Sequence, residues 1–133
     1  MKAVIKIILS NWINLLTVFV VVYSVGVVSA MAGDKFSWKG AVFGTAYAVL
    51  GYGMIFWIGF AICILILDML LFGIDRNPGN TTIKLFVEWL VIGCPFVYWL
   101  LVYREWILIA VVLSFLFGQY LRRSHINKIL ALH

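Results

Sequence analysis

The chain has 133 residues, of which 65% are hydrophobic and only 11% are charged. A water-soluble domain usually carries about 25% charged residues, so this chain has too few polar side chains to cover a soluble surface. The formal net charge of +5 does not indicate nucleic-acid binding, because no soluble basic domain is left to grip a duplex. The composition therefore predicts an integral membrane protein.

Four apolar runs are each expected to form a transmembrane helix. The predicted spans cover residues 7–32, 41–72, 85–103 and 106–121. About 20 helical residues cross a hydrocarbon core of about 30 Å, and the second run would reach roughly 48 Å, so it must tilt or protrude. No run alternates apolar and polar residues as barrel strands do. The predicted fold is an all-α integral membrane protein, a single four-transmembrane-helix bundle over residues 1–133 with short loops.

The amino-terminal run has some features of a secretory signal. Lys2 and Lys6 precede a long apolar stretch, and Ala30 and Ala32 frame an A-x-A sequence before Gly33. The stretch is about twice as long as the usual apolar core of about 7–15 residues in a signal peptide. We therefore expect it to be retained as the first span.

The basic residues predict the orientation of the chain in the membrane. With a cytoplasmic amino terminus, the inner side holds Lys2, Lys6, Arg76, Lys84, Arg122, Arg123 and Lys128, and the outer side holds Lys35, Lys39 and Arg104. Seven basic residues against three favour this orientation, because cytoplasmic loops carry the excess of Lys and Arg. The prediction is a multi-pass protein of a cell inner (plasma) membrane, with both termini cytoplasmic and a bacterial origin.

Two acidic residues lie inside the predicted spans. Asp68 and Glu88 are equidistant from Pro78 in the turn between the second and third spans, so we expect them at similar depth, about 15 Å from that turn. Each acid could form a structural ion pair with a basic residue, or the two acids could line a path for a cation or proton. Transporters that work by alternating access bind their substrate near the middle of the bilayer. Because these two acids are expected close to one interface, the ion-pair interpretation is favoured. Candidate basic partners at this level are Lys84, Arg76, Arg122 and Arg123.

Small and polar residues mark two possible packing faces. The second run carries Gly40, Gly44, Ala48 and Gly51 at helical spacing. Such a face lets another helix approach closely, so it predicts packing within the bundle or, alternatively, a contact between subunits of a homo-oligomer. The first run carries Ser10, Asn14, Thr17 and Ser24 on one stripe. These side chains are expected to point inward and bond across helices.

The carboxyl-terminal segment, residues 122–133, is predicted to form a short, separate, basic amphipathic helix. Its charged residues Arg122, Arg123 and Lys128 would contact anionic lipid headgroups or, alternatively, a cytosolic partner protein. The same partner could contact the loop between the second and third spans.

Catalytic groups are sparse at membrane depth. Both histidines, His125 and His133, lie in the tail, and none of the serines has a base at helical spacing. We therefore predict no enzymatic activity, no metal and no cofactor. The chain is expected to act through protein–protein contacts, as a membrane subunit of a larger assembly or as an immunity or anti-phage defence component. The alternative is a homo-oligomeric ion channel or small transporter that uses Asp68 and Glu88.

Overall fold

The computed structural model describes residues 2–33 and 37–132, and within them every regular element is helical. The elements are α1 (Lys2–Leu9), α2 (Trp12–Ala32), α3 (Trp38–Ala46), a π-helical segment (Tyr47–Tyr52), α4 (Met54–Ile74), a 3₁₀ turn (Pro78–Asn80), α5 (Thr81–Tyr103) and α6 (Ile107–Ala131). Lys35, which was assigned to the outer loop, and His133, at the end of the predicted tail, lie outside the described residues.

Four helical stretches are long and apolar enough to cross a membrane. They are Lys2–Ala32, Met54–Ile74, Pro78–Tyr103 and Ile107–Ala131. Their outward faces carry large apolar side chains such as Ile55, Leu101 and Leu113, which are mostly exposed. Lipid is the solvent that such faces require. The prediction of an all-helical, multi-pass membrane protein is confirmed.

The first stretch is interrupted at Ser10 and Asn11, where a single continuous helix was expected. The hydroxyl of Ser10 donates a 2.6 Å hydrogen bond to the carbonyl of Ile7, and the backbone N–H of Asn11 turns to the carbonyl of Ile8. Short polar side chains compete in this way with the backbone bonds of a helix. The Ile7 carbonyl thus accepts from Ser10 instead of from its usual helical donor, the N–H of Asn11.

The second apolar run is also divided, so the prediction of one helix over residues 41–72 is wrong. The backbone N–H of Gly53 bonds to the carbonyl of Ala48, a π-type bond of 3.0 Å, and this leaves the carbonyl of Val49 without its usual helical donor. The indole N–H of Trp57 donates to that carbonyl at 2.9 Å. A Cβ atom at Gly53 would lie 2.2 Å from the same oxygen, so only glycine fits here. The helix of this run that is long and apolar enough to cross a membrane starts at Met54.

The centre of the bundle is apolar and largely aromatic. Its buried residues are Val18, Phe60, Ile64, Ile92, Phe96, Val111 and Phe115. Phe60 and Phe115 pack edge to face with their ring centroids 5.1 Å apart, a geometry that adds to the gain from burial. This cluster holds α2, α4, α5 and α6 together.

Helix α6 continues to Ala131, well past the predicted end of the fourth span. The apolar side of the expected tail is buried there: Ile126 and Ile129 pack with Ala3, Ile7 and Phe72 in a second apolar cluster. The prediction of a separate tail helix is therefore wrong. The apolar face that it was to present to lipid or to a partner is covered by α1 and by the end of α4.

Candidate functional site

A buried polar cluster lies where α1, α2, α4, α5 and α6 meet. Its members are Ser10, Asn11, Asn14, Asp68, Glu88, Gln119 and Arg122. The side chains of Asp68, Glu88 and Arg122 are 0% exposed. Ionised groups are rarely buried so completely unless they are paired, because removing a charge from water costs several kcal/mol.

Arg122 is the centre of this cluster. Its Nη2 atom contacts Asp68 Oδ2 at 2.5 Å, and its Nη1 atom contacts Glu88 Oε2 at 3.3 Å. Nε donates to the hydroxyl of Ser10 at 2.8 Å, and Nη2 also donates to the carbonyl of Ile7 at 2.9 Å. The guanidinium fork can offer several donors in fixed directions at once. One side chain thus joins α6 to α4, to α5 and to the interruption between α1 and α2.

The two carboxylates are held unequally. Asp68 Oδ2 also accepts a hydrogen bond from the Asn11 side chain at 2.5 Å, whereas Glu88 has the longer of the two contacts with Arg122. One oxygen of each acid, Asp68 Oδ1 and Glu88 Oε1, is buried without a hydrogen-bond partner. Two carboxylates thus contact one guanidinium, and the hydrogen-bond donors around them are too few for their four oxygens.

Side-chain amides extend the cluster from α2 to α6. The Asn14 side chain donates to Asn11 Oδ1 and to Gln119 Oε1, both at 3.3 Å. Ser10 and Asn14 therefore bond across helices, as expected for the polar stripe. The other two members do not, since Thr17 and Ser24 bond to carbonyls of their own helix, 2.7 Å away in each case.

Lys84, named as a partner for the two acids, lies elsewhere. Its Nζ atom contacts Asp75 Oδ2 at 3.0 Å and sits over the ring of Phe72. Asp75 is in the loop after α4, and the hydrogen bond from the Asn80 side chain, with further ones from Asn77 and Lys84, lowers its pKa to about 2. Lys84 thus fastens the α4–α5 turn and leaves Arg122 as the cation of the buried cluster.

The small-residue face is turned away from the bundle. Gly44, Ala48 and Gly51 are exposed, and a Cβ atom at Gly44 would meet nothing within 4 Å. Helix α3 packs on α2 through buried Ala41 and Thr45, so the hypothesis that the small residues pack within the bundle is wrong. Gly40 is half-buried, whereas Gly44, Ala48 and Gly51 are not covered by another helix in the described parts of the chain. The subunit-contact hypothesis stays a prediction.

The three basic residues assigned to the tail do not act alike. Arg122 points inward and is fully buried, which corrects the expectation that it contacts lipid or a partner. Arg123 and Lys128 are exposed on the outer side of α6. Neighbouring helical positions differ by about 100° around the axis, so Arg122 and Arg123 cannot share a face.

Arg122 was among the four candidate partners of the acids, and that prediction is confirmed, but sequence reasoning missed Gln119 and Asn11 as members of the cluster. A usable signal was present: Gln119 and Arg122 are three residues apart, and such positions share a helix face. A polar face running through an otherwise apolar stretch normally turns inward in a membrane.

The arrangement joins five helical elements through a charged centre that is closed to solvent within the chain. No protein-family model, no curated protein sequence and no solved structure matches this chain.

Proposed function

We propose that the chain is a non-enzymatic membrane protein that acts through protein–protein contacts, as the membrane subunit of a larger assembly or as an immunity or anti-phage defence component. The observation that carries this proposal is a contrast. The charged groups at membrane depth are engaged with one another at 0% exposure, whereas the small-residue face of α3 and the π-helical segment is uncovered. An interface is the use that this uncovered face supports best.

The chemistry of that face favours another helix over lipid alone. Gly44, Ala48 and Gly51 offer no long side chain, so a neighbouring backbone can approach closely and gain van der Waals contact. Exposed aromatic residues flank them: Phe43, Tyr47 and Tyr52. Rigid aromatic side chains beside a shallow groove are typical of contact sites between proteins.

A photo-crosslinking amino acid at Ala48 tests the proposal in native membranes. We expect a discrete adduct of higher mass. Adding the substitution Gly44→Leu should abolish this adduct, because the leucine side chain would prevent a neighbouring helix from approaching the small-residue face. Folding should be unaffected, since nothing lies within 4 Å of a Cβ at Gly44. The same amino acid at Leu101, an exposed apolar position on α5, is the matched control and should give lipid adducts only. Equal adducts at both positions would contradict the proposal, and an adduct of twice the chain mass would identify a homo-oligomer.

We further propose that both termini are cytoplasmic and that the protein lies in a bacterial inner membrane. The excess of basic residues at one end of the spans supports this orientation. Reporter fusions after Lys39 and after His133 should therefore report opposite sides of the membrane. Reports from the same side would show that the number of crossings, or the orientation, is wrong.

The second candidate is a homo-oligomeric ion channel or small transporter. It is favoured by the surplus of carboxylate over guanidinium and by the unpartnered oxygens of Asp68 and Glu88, which a cation or proton would satisfy. The purified protein in liposomes is expected to carry no cation flux above empty vesicles, because these acids are sealed within one chain. A flux that Glu88→Gln abolishes and that Asp75→Asn, in the exposed loop, preserves would put this candidate first.

A further inference from the structure

Helices α5 and α6 enclose an apolar groove on the outer surface of the bundle, with a volume of about 460 Å³. Its walls include Leu85, Phe86, Leu113, Leu116 and Phe117. From Leu113 to Arg123 the groove follows eleven residues of α6, a rise of about 15 Å, which equals one leaflet of a hydrocarbon core about 30 Å thick. The groove therefore has the length and chemistry of one lipid acyl chain.

A second cavity of about 580 Å³ adjoins the groove and is the more polar of the two. Tyr120 and Arg123 line both cavities, and the second is also lined by Ser124, Asn127 and Lys128. Together they fit an amphiphile whose apolar part occupies the groove and whose headgroup lies at the basic end.

The charges of the polar cavity indicate an anionic headgroup. In residues 2–33 and 37–132, neither Arg123 nor Lys128 has a carboxylate within ion-pair distance, whereas Arg122 and Lys84 are both paired. A phosphate would satisfy both cations.

We infer that this site binds one anionic phospholipid, with an acyl chain in the α5–α6 groove and the phosphate between Arg123 and Lys128. Phosphatidylglycerol, which carries such a headgroup, is the probe. The inference does not depend on the proposed protein partner, because it concerns the side of the bundle formed by α5 and α6 and not the face of α3.

Binding to the purified full chain in delipidated detergent micelles tests the inference. Phosphatidylglycerol should bind and raise the unfolding temperature, and phosphatidylcholine with the same acyl chains should do so much less. The double substitution Arg123→Gln with Lys128→Gln should weaken phosphatidylglycerol binding on the order of 30-fold, from about 1 kcal/mol per basic residue near a membrane surface. Leu116→Trp, which fills the groove and keeps both charges, should also abolish the preference.

Arg76→Gln is the matched control, since it removes one charge from the exposed loop after α4 and lines neither cavity. It should bind phosphatidylglycerol as the wild type does. Equal binding of the two lipids, or equal weakening by Arg76→Gln and by the double substitution, would overturn the inference. Competition by millimolar inorganic phosphate alone would also overturn it, because the site would then recognise phosphate without a lipid.

Discussion

Arg122→Met should lower the free energy of unfolding by about 3–5 kcal/mol, the usual range when one partner of a buried ion pair is removed. The substitution keeps an unbranched side chain of similar length. It leaves Asp68 and Glu88 buried at 0% exposure with no cation in contact, and it removes one of the donors to the Ile7 carbonyl and the Arg122 donor to the Ser10 hydroxyl. Unfolding in mixed micelles, followed by tryptophan fluorescence and circular dichroism, measures the change.

Arg123→Met is the matched control for this experiment. It makes the same substitution one position along α6, on the exposed side, and should change stability by no more than about 0.5 kcal/mol. Adding Asp68→Asn and Glu88→Gln to Arg122→Met removes the stranded charges and should restore most of the loss, because neutral replacement of a whole buried ionic group is tolerated. Equal effects of the two arginine substitutions would mean that the buried charges are not paired as described.

Gly118→Ala should lower the free energy of unfolding by about 1–3 kcal/mol through overpacking between α2 and α6. A Cβ atom at Gly118 would lie 2.8 Å from Asn14 Oδ1 and 3.3 Å from Asn14 Cα. The second contact is with backbone, which cannot rotate away, so the helices would have to separate. That separation would also stretch the Asn14–Gln119 hydrogen bond of the polar cluster.

Two other glycines calibrate this effect. At Gly59, in the middle of α4, nothing lies within 4 Å of an added Cβ, so Gly59→Ala should be neutral or gain up to about 1 kcal/mol from helix propensity. At Gly26 the neighbour is the methyl group of Thr45, at 2.7 Å. A methyl group can yield in part, so Gly26→Ala should lie between the two. A loss at Gly59 as large as that at Gly118 would refute the overpacking explanation.

The helical class and the meeting of the two acids could be read from the sequence for simple geometric reasons. Long apolar runs leave lipid as the solvent, and residues equidistant from a tight turn lie at similar depth. Asp68 and Glu88 do meet, both at Arg122. This much follows from distance along the chain alone.

Which of the four candidate cations pairs with the acids could not be read in the same way, because it depends on the rotation of α6 about its axis. An arginine at the end of an apolar run is compatible with a headgroup position as well as with a buried one. Packing of Ile126 and Ile129 on α1 determines the choice, since it places Arg122 inside. The division of the second run at Gly53 could not be predicted from hydropathy, because hydropathy carries no information about a π-type hydrogen bond. It also depends on the hydrogen bond from the Trp57 indole to the Val49 carbonyl, which joins residues that are not adjacent in the sequence.

The position of Arg122 in the chain has a consequence for biogenesis. Asp68 and Glu88 are synthesised and can enter the membrane before the ribosome reaches α6, so for that interval each acid lacks the cation that neutralises it in the finished bundle. An acid without a partner is expensive in hydrocarbon, and α4 and α5 should therefore stay near the translocon or the headgroup region until α6 arrives. A ribosome that stalls before codon 122 would release a chain with two uncompensated charges at membrane depth.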